Sequence, residues 1–122
     1  MKILGVLLLV NNKVLGLLGL SCKAGKVMSG TDMGLDGIKR RKVKLVNVAE
    51  DADERTFKNM TLACGEYVKV IKFGNIEEIS KAIGKQNRAV IAITDKNLAD
   101  AILKVIHGGV LKIGKSKNSW TS

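Results

Sequence analysis

Residues 89–106 read AVIAITDKNLADAILKVI, and the character of the chain changes once within them, at Thr94 and Asp95. Ala89 to Thr94 carries no charge and is built of β-branched and small apolar residues, which suits a short strand buried on both faces. Beyond it, Leu98, Ala101, Ile102, Val105 and Ile106 recur at spacings of three and four, so they share one stripe of a helix. Thr94 or Asp95 supplies the side-chain oxygen that caps this helix's first amides. A strand without a polar face needs cover above and below, so the fold must place helices on both sides of its sheet.

The same alternation runs outward from this stretch. KLVNVAE, Lys44 to Glu50, is a second buried strand, Val68 to Phe73 a third that Gly74 breaks, and Lys26 to Ser29 a brief one. Val14, Leu15, Leu17, Leu18 and Cys22 line a helix from about Asn12 to Ala24, ended by Gly25. A second helix starts at Gly30-Thr31-Asp32 and runs to about Arg41. A third follows DADE, where Asp51 or Asp53 is the cap and Phe57, Met60 and Cys64 form the apolar stripe. Asn75-Ile76-Glu77-Glu78 is close to a capping box and opens a fourth, with Ile76, Ile79 and Ile83 on one face. Gly108-Gly109 ends the last helix. The expected architecture is therefore α/β, a three-layer α/β/α sandwich over residues 12–107. Residues 1–11 are an extension and residues 108–122 a basic tail.

Composition bounds the function. A chain of 122 residues with 46% apolar content is one domain's worth. Its net charge of +10, from 21 Lys and Arg against 11 Asp and Glu, favours a polyanionic partner, with plain solubility as the bland alternative. Phe57, Phe73, Tyr67 and Trp120 are scattered singly, which argues against binding single strands on a row of stacked aromatics. Cys22, Cys64 and the lone His107 cannot build a zinc site, so no metal is expected. Either cysteine paired with His107 would make a nucleophile, but a buried thiol in a reducing cytosol is the commoner role.

Lys2 followed by Ile3 to Val10 looks like the start of a secretory signal. Asn11, Asn12 and Lys13 interrupt it, Gly19 replaces the Leu-like residue a lipoprotein signal wants before its cysteine, and no cleavage site follows. No run reaches the roughly 18 apolar residues of a membrane span. A cytoplasmic protein with no membrane partner is expected.

Three local features bear on binding. GLSCKAGKVMSG, residues 19–30, is glycine-rich, yet five residues separate Gly19 from Gly25, Val27 stands where a phosphate loop needs a hydroxyl, and a helix precedes it. Gly30 before Thr31 and Asp32 instead exposes the free amides of a helix start, suited either to phosphates and base edges or to an ordinary cap by Thr31. Gly34 and Gly37 within that helix cost about 1 kcal/mol each relative to alanine, so either the sheet beneath or a ligand above needs the backbone close. Lys39, Arg40, Arg41, Lys42 and Lys44 crowd its end, either as a solvated face or as phosphate contacts.

With VLGLLGLSCKAGKVMSG, KVKLVNVAEDADERT and EEISKAIGKQNRAVIAITD in this order, the chain resembles the kink-turn-binding ribosomal protein superfamily of L-seven-Ae and L-thirty-e, in particular its bacterial YlxQ-type branch. The likeness spans about Asn12 to Leu103. It implies an α/β/α sandwich around a mixed four-stranded sheet and a non-enzymatic, cofactor-free protein that binds structured RNA by shape and exposed base edges. The family's G-x-N-E segment falls on Gly30, Thr31, Asp32 and Met33, and its lysine one turn on falls on Asp36. A carboxylate at Asp32 can still accept from guanine N–H groups, whereas Met33 cannot hydrogen-bond a base. Lys39 and Arg40 lie three and four residues beyond Asp36 and can offset its charge. The adjoining loops map to Glu50 and Asp51 and to Lys85 through Ala89. Lys26, Arg40 and Arg88 are the expected phosphate contacts, and Thr31 and Asp32 the base-facing residues. Expected partners are structured RNA, with the ribosome and its associated proteins as candidates, and no DNA specificity. Asp36 favours one rival, a protein-binding adaptor of the same fold; a nucleotide-binding enzyme and a lipoprotein rank below it.

Overall fold

A computed structural model describes residues 2–114. In chain order these form α1 (Lys2–Lys23), β1 (Val27–Ser29), α2 (Thr31–Lys39), β2 (Leu45–Val48), α3 (Glu54–Cys64), β3 (Lys69–Lys72), α4 (Ile76–Ala82), β4 (Val90–Ile93) and α5 (Lys96–Gly114). The four strands make one mixed sheet in the order β1-β4-β2-β3. β4 is antiparallel to both β1 and β2, while β2 and β3 are parallel.

Position in the sheet explains composition. β2 and β4 are central and every residue of each is buried, which is why neither carries a charge. β3 is an edge strand, and its exposed Lys69 and Lys72 discourage pairing with another chain. Helices α1, α4 and α5 cover one face, where Val14, Leu18, Ile79, Ile83 and Ile102 pack on Leu45, Ile91 and Ile93. Helices α2 and α3 cover the other, where Met60 and Cys64 meet Val46, Val48, Val90 and Ala92. The three-layer α/β/α sandwich expected from the sequence is the fold.

Element ends agree with the sequence reading where a local signal sets them. Asn75 caps α4 as a full box: the Glu78 amide donates to Asn75 Oδ1 at 2.8 Å and the Asn75 amide donates to Glu78 Oε2 at 3.2 Å. Asp95, rather than Thr94, caps α5 by accepting from the Leu98 amide at 2.9 Å. Asp53 occupies the α3 cap position without a side-chain bond. Asp51 serves another helix, accepting from the Ile76 amide of α4 at 2.8 Å.

Two helices outrun their expected limits. α1 begins at Lys2, not near Asn12, and runs through Asn11, Asn12 and Lys13, which are all exposed. Val10 packs against the core, whereas Leu7, Leu8 and Leu9 before it are exposed. α5 continues through Gly108-Gly109 to Gly114, lying along α1. The C-terminal residues 115–122 of the expected basic tail lie outside the described residues.

The glycines of α2 face inward. A Cβ on Gly34 would sit 3.1 Å from Met60 Cε and 3.2 Å from Val90 Cγ1. One on Gly37 would sit 2.5 Å from Met28 Sδ and 2.9 Å from Val43 Cγ2. Their reason is the sheet and α3 beneath, which brings the α2 backbone close to the core.

Candidate functional site

Strand polarity decides what can meet at each end of the sheet. Ser29 of β1 pairs with Ile91, and Val48 of β2 pairs with both Val90 and Lys72. The exits of β1, β2 and β3 therefore lie beside the entry of β4. Backbone bonds stitch this end together: the Gly30 amide donates to Val90 O (2.8 Å), Ala49 to Ala89 O (2.8 Å) and Glu50 to Gly74 O (2.7 Å). The start of α2, the loop after β2 and the loop before β4 thus form one continuous surface.

Gly30 turns the chain from β1 into α2 with φ 99° and ψ 158°, a region open essentially to glycine alone. No side chain caps α2, so Thr31 is not the cap and the first-turn amides stay free for another acceptor. Thr31 is half-buried, and Asp32, Met33 and Glu50 are exposed around it. Met33 remains 52% exposed, an unusual place for so apolar a side chain unless something covers it.

Arg88 closes the group. Its Nη1 lies 3.8 Å from where a Gly30 Cβ would be, so the guanidinium rests against the glycine that caps the start of α2. Its Nε is buried and has no hydrogen-bond partner. The backbone of Arg88 is held by Ser80: the Arg88 amide donates to Ser80 Oγ at 2.8 Å, and that hydroxyl donates to Arg88 O at 3.3 Å. Asn87, with φ 54°, makes the turn that precedes it. An unpaired guanidinium beside the positive end of a helix is a ready anion site.

The structure thus brings together Gly30, Thr31, Asp32, Met33, Glu50 and Arg88. Asp36 lies farther along α2, and its Oδ2 is 3.1 Å from Arg40 Nε in an exposed pair, as the spacing foretold. Two expected contacts do not join the group. Lys26 precedes β1, and its carbonyl accepts from the Thr94 amide at 2.9 Å, which puts it at the opposite end of the sheet, about 13 Å from Gly30 at 3.3 Å per residue. Arg40 is the C-cap of α2, ten residues and about 15 Å from Gly30 by helical rise. Ser80 was not foreseen; its signal is a hydroxyl placed one residue from Ile79 on the apolar side of α4.

Among the described residues the cysteines and the histidine do not form a second candidate centre with a metal-binding group. Cys64 is buried in the α2/α3 layer and burial pushes its thiol up, away from nucleophilic use. The sheet separates it from His107 of α5. Among the described residues no group of His, Cys, Asp and Glu is placed to hold a metal ion, and no helix is long and apolar enough to cross a membrane.

Known proteins resemble this chain in sequence and fold. The ribosomal protein L7Ae/L30e/S12e/Gadd45 family matches residues 12–103. The RNA-binding protein YlxQ of Bacillus subtilis (strain 168) is 36% identical over 91 residues, 74% of this chain and 91% of that protein. The RNA-binding protein YlxQ of Enterococcus faecium is 34% identical over 97 residues, 79% of this chain and 93% of that one. A protein of unknown function from Bacillus halodurans C superposes with a TM-score of 0.74 at 31% identity, covering 78% of this chain and 97% of its own. The 15.5kD RNA binding protein of Giardia lamblia superposes with a TM-score of 0.69 at 20% identity, covering 81% and 86% respectively, which extends the likeness of fold.

Proposed function

The chain belongs to the ribosomal protein L7Ae/L30e/S12e/Gadd45 family, and from that premise we propose that it is a non-enzymatic cytoplasmic protein that binds structured RNA, its target a kink-turn or a similarly bent helix. The observation that carries the reading is the unpaired Arg88 guanidinium lying against Gly30 at an uncapped helix start. Both YlxQ relatives are named as RNA-binding, which supports the class of partner.

Each group has a distinct role in this reading. Arg88 takes a phosphate, because its fork of donors fits phosphate oxygens. The free first-turn amides of α2 take a second oxygen. Asp32 and Glu50, as acceptors, face guanine N–H groups exposed where the helix bends, and Thr31 takes either a donor or an acceptor. Met33 lies flat against an unstacked base. Lys26 and Arg40 are not part of this surface. Carboxylates beside a single arginine make it a reader of base edges rather than a general phosphate grip, so a duplex of DNA is a poor fit. Ribosomal RNA and ribosome-associated proteins are the natural company of such a domain.

One feature favours the rival role of a protein-binding adaptor: Asp36 and Arg40 neutralise each other on the exposed side of α2. Titrating a kink-turn RNA, and a variant with its G·A pairs disrupted, at low and moderate salt separates the two. Tighter binding of the intact bend, lost in Arg88→Ala, is the expected result. Equal binding of both RNAs reduces this end to a generic surface, and no binding at either salt leaves the adaptor.

A further inference from the structure

The sheet's other end has a charge pattern that the site at Gly30 does not use. Val27, Ile93, Leu45 and Lys69 form one register row across β1, β4, β2 and β3. Lysines lie at this end of all four strands: Lys26 just before β1, Lys44 just before β2, Lys69 opening β3, and Lys96, the first residue of α5, three positions past Ile93 of β4. Two backbone bonds fix the alignment, Thr94 N–H to Lys26 O at 2.9 Å and Lys44 N–H to Ile93 O at 2.7 Å. All four lysines are exposed. Adjacent strands are about 4.8 Å apart, so the row runs about 14 Å in a line.

Arg41 adds to it by an unusual backbone. It leaves α2 at φ 60°, a left-handed conformation that a residue other than glycine adopts at some cost. The turn places its guanidinium carbon 6.0 Å over the ring of Tyr67, which is 91% exposed. A groove of about 550 Å³ opens between Arg41, Lys44, Tyr67 and Lys96. The acids nearby are mostly committed: Asp95 caps α5, and Asp100 Oδ2 lies 3.0 Å from Lys96 Nζ. Glu66 alone faces the same end without a bond of this kind.

We propose that this end is a second RNA-binding surface, which takes the phosphate backbone of an RNA helix along the row Lys26, Lys96, Lys44 and Lys69, with Tyr67 and Arg41 flanking it. Exposed cations gathered at one end of four adjacent strands match a continuous polyanion better than they match scattered acidic side chains. The two ends lie on opposite sides of the sheet, so one chain can hold a bent RNA at Gly30 and a helical segment at the lysine row. The second surface stands whether or not the first reads kink-turns.

The test uses a plain 24-base-pair RNA duplex with no bulge, titrated against the full chain by fluorescence anisotropy over a range of salt. The quadruple variant Lys26→Gln, Lys44→Gln, Lys69→Gln, Lys96→Gln should bind it at least tenfold more weakly at 0.1 M salt. Its slope of log affinity against log salt should be shallower by about three, since each phosphate neutralised contributes roughly 0.9 and Lys96 is shared with Asp100. An unchanged melting temperature shows that the variant is folded. Arg88→Ala should leave duplex binding intact, which keeps a failure of this surface distinct from a failure of the one at Gly30. The proposal is overturned if the wild-type chain does not bind the duplex, if the quadruple variant keeps its affinity and slope, or if polyglutamate at equal charge displaces the duplex as well as unlabelled RNA does.

Discussion

Replacing Asp36 by lysine reverses a charge on α2, the helix proposed to face RNA, and its effect can be worked from the geometry. The carboxylate is 48% exposed and pairs with an Arg40 that is 63% exposed, so losing the pair and creating a like-charge one costs folding about 0.5–1 kcal/mol. Six residues of helical rise set position 36 about 9 Å from Gly30 along the axis. At about 10 Å in water, one unit charge acts on a phosphate with about 0.4 kcal/mol. Screening at 0.1 M salt, where the Debye length is about 10 Å, reduces this to roughly 0.15 kcal/mol. Two units of charge acting on about four nearby phosphates give about 1.2 kcal/mol, a tightening of five- to tenfold. Asp36→Asn changes one unit and should recover about half of that free energy. The assay is anisotropy of a labelled kink-turn RNA at 0.1 M and 1 M salt, and the gain should vanish at about 1 M, where the Debye length is about 3 Å. Weaker binding by Asp36→Lys, or a gain that survives high salt, would show that this face of α2 does not meet the RNA.

The remaining predictions concern the frame around the site. Gly37→Ala puts a methyl 2.5 Å from Met28 Sδ and 2.9 Å from Val43 Cγ2, so it should lower stability by about 1–3 kcal/mol in a urea titration. Adding Met28→Ala should restore part of that loss, since the two sites share one space. Gly30→Ala should cost about 1–3 kcal/mol through its φ of 99°. It should also weaken kink-turn binding at a salt and temperature where the variant is still fully folded, whereas Gly37→Ala should not. The buried thiol of Cys64 should react with an aromatic disulfide reagent only as the chain unfolds. Because burial raises its pKa in the fold, the unfolded chain loses this proton first. That contribution to stability is complete below about pH 8.5 and declines as pH rises above it. Over pH 7 to about 10, Cys64→Ala should therefore lose less stability than the wild type.

What could be read without coordinates was whatever depends on near neighbours in the chain. The uncharged run at Ala89 to Thr94 betrayed a strand covered on both faces, and β4 is buried at every residue. Asn75 and Glu78 sit three apart, and their box closes within that turn. Gly34 and Gly37 announced a close approach, although only the fold shows that Met60, Val90, Met28 and Val43 are what they approach. Long-range partners stayed hidden. Nothing near Asp51 points to an amide 25 residues away on α4, and Ser80 holds Arg88 through a loop whose shape no local motif specifies. The N-terminal turns of α1 look like an unassigned apolar run until Val10 is seen packed on the core.

Charge was the hardest property to place. Lys26 and Gly30 are four residues apart, and Arg40 shares a helix with Asp32, so proximity in sequence suggested a single basic site. An extended strand and a helix both carry their ends apart, and Lys26, Lys44 and Lys69 lie at one end of the sheet while Gly30, Glu50 and Arg88 lie at the other.

The central claim is that bent RNA meets the end of the sheet where Gly30, Thr31, Asp32, Glu50 and Arg88 converge. Amide chemical shifts of the nitrogen-15-labelled chain, followed as a short kink-turn RNA without a long flanking helix is added, test it most directly. The signals of Gly30 to Met33, Glu50 and Asn87 to Ala89 should move first and farthest, while those of Lys26, Lys44 and Lys69 stay nearly fixed. Shifts concentrated at the three lysines, with Gly30 and Arg88 unmoved, would contradict it.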